Sequence, residues 1–156
     1  TGTPSPLTLM NRTNSAEKRM FPLHLAWGVS FFPTPSLLYT IDLDYYQASE
    51  NGRADIMNYS GGTEYYLNPT NAIRFGLFTN YTNLPLPNSS TTAPYEYLDI
   101  YGASFGYTSY SSSSSLTLGA IYTSGSGKAW LYSGSTETRA LTRESLTLVF
   151  SASSSL

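Results

Sequence analysis

The sequence predicts an all-β fold, a transmembrane antiparallel up-and-down β-barrel with about eight strands in this chain. Three observations point there: period-two alternation along nearly the whole chain, a regular exchange of short and long connections, and very little charge. Of 156 residues, 40% are hydrophobic and only 12% are charged, about half the ~25% of an ordinary soluble domain. Low charge with few aromatics would indicate disorder, but 14 Tyr, 7 Phe and 2 Trp recur along the chain. The remaining reading is a surface that does not face water.

A short first strand is expected near Leu7–Asn11. The stretch from Asn14 to Met20 has helical character for one turn, which Pro22 closes. From Leu23 to Phe32, Leu23, Leu25, Trp27, Val29 and Phe31 share one face, with His24, Ala26, Gly28 and Ser30 on the other. Pro33–Ser36 makes a tight turn. The next strand sets Leu37, Tyr39, Ile41, Leu43 and Tyr45 against Thr40, Asp42, Asp44 and Tyr46. After a polar loop at 48–55, Met57, Tyr59, Gly61, Thr63, Tyr65 and Leu67 oppose Asn58, Ser60, Gly62, Glu64 and Tyr66.

A short connection at 68–71 leads to Ile73, Phe75, Leu77, Thr79 and Tyr81 against Arg74, Gly76, Phe78 and Asn80. A loop at 83–96 carries Pro85, Pro87 and Pro94. Tyr101, Ala103, Phe105 and Tyr107 then alternate with Gly102, Ser104 and Gly106, and the serine run 111–115 turns the chain. Leu116, Leu118, Ala120 and Tyr122 follow; a loop from Gly125 to about Thr142 precedes a last strand with Leu146, Leu148 and Phe150. The chain thus divides into an N-terminal strand and loop (1–20), barrel strands (21–152) and a polar tail (153–156).

Connections at 33–36, 68–71 and 109–115 are short, and those at 12–20, 48–55, 83–96 and 126–142 are longer. Bacterial barrels segregate loop length this way, with short turns periplasmic and long loops extracellular. A soluble sandwich also alternates, but its water-facing side is normally rich in Lys and Glu. Here the second face is Gly, Ser, Thr and Asn with few charges, and many Tyr stand near strand ends, where aromatic girdles sit.

Several function classes lose support. The net charge is −2 with no long basic run, so there is no footprint for nucleic acid. The absence of Cys removes disulfide frameworks and thiolate metal sites, and no apolar run approaches the ~20 residues of a spanning helix. A single histidine, His24, cannot build a multi-His metal centre. No G-x-S-x-G nucleophile elbow accompanies the serines. No enzyme activity, cofactor or metal is expected.

Gly62-Thr63-Glu64-Tyr65-Tyr66-Leu67 followed by Ala72-Ile73-Arg74-Phe75-Gly76 resembles the "G-x-E-Y-x-L … A-x-R-x-G" hairpin of FadL-type outer-membrane transporters of long-chain fatty acids and aromatic hydrocarbons. Tyr101–Tyr107 is similar to that family's "L-G-A-S-Y-x-F" strand, and Ser115–Tyr122 to its penultimate strand. The resemblance spans about residues 22–150. It implies the C-terminal portion of a 14-stranded barrel whose plug and side opening lie elsewhere, completed by an N-terminal half or another chain. One departure is the ending Ser153-Ser154-Ser155-Leu156 in place of a terminal aromatic.

The implied function is passive uptake of hydrophobic small molecules across the bacterial outer membrane, with membrane lipid or detergent and a hydrophobic ligand as partners. A FadL-like scaffold that docks other envelope proteins is the alternative, and a soluble β-rich adhesin or fibre domain a third. The residues expected to line the lumen are Asp42, Asp44, Glu64, Tyr66 and Arg74. If Leu67 pairs with Ile73, Tyr66 lies opposite Arg74 and Glu64 sits diagonally from it. Arg74 then either binds a substrate carboxylate through its planar fork or forms an internal pair with Glu64 that fixes register. Leu84, Leu86, Trp130, Leu131 and Tyr132 are the expected capture residues of the outer loops; loop packing is the other reading of the same residues.

Overall fold

The computed structural model describes residues 22–48, 53–84, 86–87, 96–130 and 137–154. Among them it forms one seven-stranded sheet: β1 (His24–Thr34), β2 (Leu37–Tyr46), β3 (Ile56–Asn68), β4 (Asn71–Asn80), β5 (Glu96–Tyr110), β6 (Ser114–Trp130) and β7 (Thr138–Ser154). Each strand pairs antiparallel with its neighbours in chain order, an up-and-down meander. The described residues contain seven strands where about eight were expected; the expected first strand at Leu7–Asn11 lies outside them. β1 and β7 each pair on one side only and not with each other, so the described sheet is open.

Strand periodicity is preserved through every pairing, so each face can be followed across the sheet. One hydrogen-bonded row runs Phe31, Tyr39, Thr63, Phe75, Phe105, Ala120, Leu148 from β1 to β7. The neighbouring row is Val29, Ile41, Gly61, Leu77, Ala103, Tyr122, Leu146. These rows build an apolar belt that no charged residue interrupts. It is bare: Leu148 is 78% exposed, Phe150 70% and Phe31 61%. The only buried hydrophobic side chains among the described residues are Ala72 and Leu98, so the sheet encloses no core of its own.

The belt crosses the hydrogen-bonded rows obliquely. In β1 it runs from Leu23 to Phe31, whereas in β7 it is centred on Leu148, the residue in row with Phe31. That drift, about four residues over six strand steps, corresponds to strands inclined by roughly 25° to the belt, against the ~35–45° of bacterial barrels.

Three connections are tight, at Pro35-Ser36, Pro69-Thr70 and 111–113, and all open on one rim of the sheet. The longer ones, 47–55, 81–95 and 131–137, open on the other. The expected loop at 126–142 is largely strand instead, because β6 continues to Trp130 and β7 begins at Thr138. Gly125 and Gly127 are not turn signals. A Cβ on Gly125 would stand 3.1 Å from Leu98 and Ile100, and one on Gly127 would occupy the position of the Tyr97 carbonyl. Both glycines provide clearance inside a paired ribbon. The expected polar tail also begins too early, since Ser153 and Ser154 are β7 residues paired with Ser115 and Ser114.

Candidate functional site

The polar face gathers all five expected lumen residues. Glycine, serine and threonine keep it shallow: the row Thr40, Gly62, Gly76, Ser104 crosses β2 to β5 with little side-chain bulk. The next row toward the tight-turn rim, Leu38, Glu64, Arg74, Gly106, Gly119, Val149, carries the main ion pair. Together these rows line a shallow cavity of about 230 Å³ bordered by Leu38, Thr40, Glu64, Arg74, Gly76 and Ser104.

Glu64 and Arg74 are directly opposed, not diagonal, and Tyr66 lies opposite Ala72 where Arg74 was expected. The cause is the β3–β4 turn. Asn68 Oδ1 accepts hydrogen bonds from the Thr70 amide (2.9 Å), the Thr70 hydroxyl (2.8 Å) and the Asn71 side-chain amide (2.9 Å). This side-chain turn closes the hairpin over Pro69-Thr70 and shifts the register between Tyr66 and Asn68, leaving Leu67 without a partner on β4. The predicted Leu67–Ile73 pair is thereby replaced by Tyr65–Ile73.

Arg74 spends its donors on the protein. Its Nε and Nη2 each donate to Glu64 at 3.0 Å, the bidentate arrangement that a guanidinium suits. Nη2 also donates to the Tyr110 hydroxyl at 2.7 Å, and Nη1 to Thr108. Thr108 is 2% exposed, and its hydroxyl lies 2.8 Å from that of Thr117 on β6. The Tyr66 hydroxyl approaches the Glu64 carboxylate from the same strand. One continuous polar network therefore ties β3, β4, β5 and β6 together. Thr108, Tyr110 and Thr117 were not singled out from sequence; their signal was strand parity, which sets them on the face of Arg74.

Asp42 and Asp44 form a second, separate group on β2. Asp42 accepts from the Ser60 hydroxyl at 3.1 Å, and its carboxylate fills the space a Cβ on Gly28 would need. Asp44 lies 3.2 Å from His24 Nε2, and the His24 ring stacks on Tyr46 with centroids 4.1 Å apart. His24 thus has a local partner beyond polar filling. Farther along β4, the far end of the Phe78 ring occupies the volume a side chain on Gly102 would take.

The long-connection rim is tied by loop contacts. The Asp55 carboxylate accepts from the Ala48 amide and from the Tyr45 hydroxyl, the latter at 2.8 Å. These bonds, the Ala48 amide first, hold its pKa below the ordinary carboxylate value. Arg53 donates to Asn83 at 3.0 Å, and the Thr82 amide to Asp99 at 3.0 Å. Arg143 pairs with Glu96 at 2.9 Å beside Leu98 and Ile100. Of the expected capture residues, Leu84 is half-buried and Leu86 is 53% exposed. Trp130 is not a loop residue; it ends β6, paired with Thr138. Leu131 and Tyr132 lie outside the described residues.

Chemically, the polar face can present hydroxyls, a shallow glycine floor, the Asp42 and Asp44 carboxylates and the internal Glu64–Arg74 ion pair. Among the described residues no group of three or more His, Asp or Glu side chains converges on a metal position. Comparison of the chain with protein-family models, with curated proteins and with solved structures finds no match in any of the three.

Proposed function

We propose that this chain is part of the wall of a bacterial outer-membrane β-barrel that passes hydrophobic small molecules, fatty acids or hydrocarbons among them. The observation that carries the reading is the uncharged apolar belt that all seven strands expose on one face. A contiguous patch of this breadth is unstable against water and suited to lipid. Segregation of tight turns to one rim and long connections to the other matches periplasmic and extracellular sides. Passage would be passive. The inward face offers hydroxyls and glycines with Phe78 and Ile121 between them, and the guanidinium of Arg74 is taken up by Glu64.

That same self-pairing favours a second reading. With four of its hydrogen bonds already made inside the sheet, Arg74 has little left for a substrate headgroup. A barrel that docks other envelope proteins and transports nothing needs only such a rigid wall.

Both readings require a membrane protein, and heat-modifiable migration of the detergent-extracted chain is the expected result. A chain that stays monodisperse in buffer without detergent would sink them together. Uptake of a labelled long-chain fatty acid by cells carrying the chain then separates transport from scaffolding. Saturable uptake above empty-vector cells is expected; correct insertion with background uptake assigns the scaffold.

A further inference from the structure

The two rims of the sheet differ in charge. The long-connection rim carries Arg53, Asp55, Glu96, Asp99, Lys128 and Arg143 among its residues. The segments that make the tight-turn rim, 32–38, 65–73, 108–116 and 150–154, contain no Asp, Glu, Lys, Arg or His. Hydroxyls and amides take their place. They are densest where β5, β6 and β7 end, and there Ser109, Ser111, Ser114, Leu116, Ala152 and Ser154 border a notch of about 430 Å³. At ~30 Å³ per water molecule, that volume takes a group much larger than a solvent molecule.

Strand parity sets this notch on the belt face. Ser109 follows Phe105 and Tyr107 on β5, Ser114 and Leu116 precede Leu118 on β6, and Ala152 and Ser154 follow Phe150 on β7. Ser109, Leu116 and Ala152 form one row, and the next same-face row is Tyr107, Leu118 and Phe150, the last of them 70% exposed. The end of the belt thus stands directly against hydroxyls. Ser115 and Ser153 bond each other at 3.0 Å, and the Tyr110 hydroxyl is taken by Arg74. Among the described residues, the hydroxyls of Ser109, Ser111, Ser114 and Ser154 have no partner within the protein.

A serine hydroxyl both donates and accepts, so it can bond a phosphate oxygen or an ammonium. With no Lys or Arg on this rim, there is no cation to attract a lipid of net negative charge. A headgroup that carries its own ammonium beside its phosphate needs none. A neutral sugar would also suit hydroxyls, but the adjoining row of Leu118 and Phe150 favours a ligand with acyl chains. We infer that the notch binds the headgroup of a zwitterionic phospholipid, a phosphoethanolamine, in the leaflet on the tight-turn side, with the acyl chains laid along Leu118, Phe150 and Leu148. The inference rests on the membrane-wall reading above. It adds a lipid class and its place on the wall.

The test places the full chain in vesicles of equal phosphatidylethanolamine and phosphatidylglycerol with the same acyl chains. The chain is re-extracted in mild detergent, and the lipid it retains is counted by mass spectrometry. Phosphatidylethanolamine should be retained in preference by at least about fivefold, the order that a few hydroxyl hydrogen bonds supply. Ser109→Ala, Ser114→Ala and Ser154→Ala together should abolish that preference, and threonine at the same positions should keep it. Ser124→Ala with Ser126→Ala, on the same face at the other rim, should leave it unchanged. Heat-modifiable migration checks that each variant is inserted. Equal retention of the two lipids by the unaltered chain overturns the inference, as does a preference for phosphatidylglycerol. So do a preference that survives the alanine variant and displacement of phosphatidylethanolamine by an equal amount of a neutral diglycosyl lipid. Failure of the membrane reading is seen separately, as a chain recovered in the soluble fraction before any lipid is counted.

Discussion

The two faces of this sheet are held by different physics. The apolar face presents Leu, Ile, Val, Phe, Trp and Tyr with few directional bonds; the polar face concentrates Arg74–Glu64, His24–Asp44 and the Thr108–Thr117 contact. Apolar contact is non-directional and tolerates sliding by two residues. Hydrogen bonds to a fixed fork do not. The belt therefore says where the sheet can lie, and the polar network says in which register.

One charge placed on each face gives the largest expected difference between them. Leu118→Arg, near the middle of the belt in β6, should cost about 2–4 kcal/mol in a bilayer. Thr147→Arg, on the polar face of β7, should cost within about 0.5 kcal/mol. Urea unfolding in phospholipid vesicles measures both. Equal costs would mean that the two faces meet the same solvent.

The next largest effect concerns the network. Arg74→Met leaves the Glu64 carboxylate, 14% exposed, without its fork, and a loss of about 1–3 kcal/mol is expected. Adding Glu64→Leu should recover part of it, because the uncompensated charge is then gone. A double-mutant cycle in the same vesicles reads the coupling. Additive losses would show that Arg74 acts through Thr108 and Tyr110 more than through Glu64.

How far the sequence revealed this arrangement differs for the two faces in the same way. Parity alone sorted Leu25, Ile41, Phe75 and Leu148 to one side and Asp42, Glu64 and Arg74 to the other, because a period of two survives any even shift in register. The Glu64–Arg74 opposition was missed by such an even shift. It depends on the Asn68 side-chain turn and the displaced Leu67, a local hydrogen-bond choice that alternation does not encode. The extent of β6 and β7 was hidden for a related reason. Ser124-Gly125-Ser126-Gly127 has the composition of a turn, and only the closeness of Leu98, Ile100 and Tyr97 explains those glycines.

Phe78 and Gly102 show the difference between the faces at one contact. On the polar face an aromatic ring lies on a glycine floor, so Gly102→Ala forces Phe78 to move and should cost about 1–3 kcal/mol by overpacking. Gly61 has only the Thr40 carbonyl near its would-be Cβ, at 3.5 Å, so Gly61→Ala on the belt should be nearly neutral. Restoring stability to Gly102→Ala with Phe78→Leu, read by the same unfolding measurement, would assign the loss to the ring. No restoration would assign it to the backbone.

The smallest effect belongs to the long-connection rim, outside both faces. Asp55 holds the ends of the 47–55 connection through the Ala48 amide and the Tyr45 hydroxyl, and these bonds depress its pKa. A depressed folded-state value means that the contribution is fully present above the unfolded carboxylate value and is lost as pH falls through the folded one. The Ala48 amide should therefore stay protected from exchange at neutral pH and lose protection only in acid, after correction for intrinsic rates. Asp55→Asn should remove the acid transition while leaving network stability unchanged, since the exposed carboxylate does not touch the network and meets the apolar face only through the Tyr45 hydroxyl. A transition that persists in Asp55→Asn would move the titrating group elsewhere on that rim.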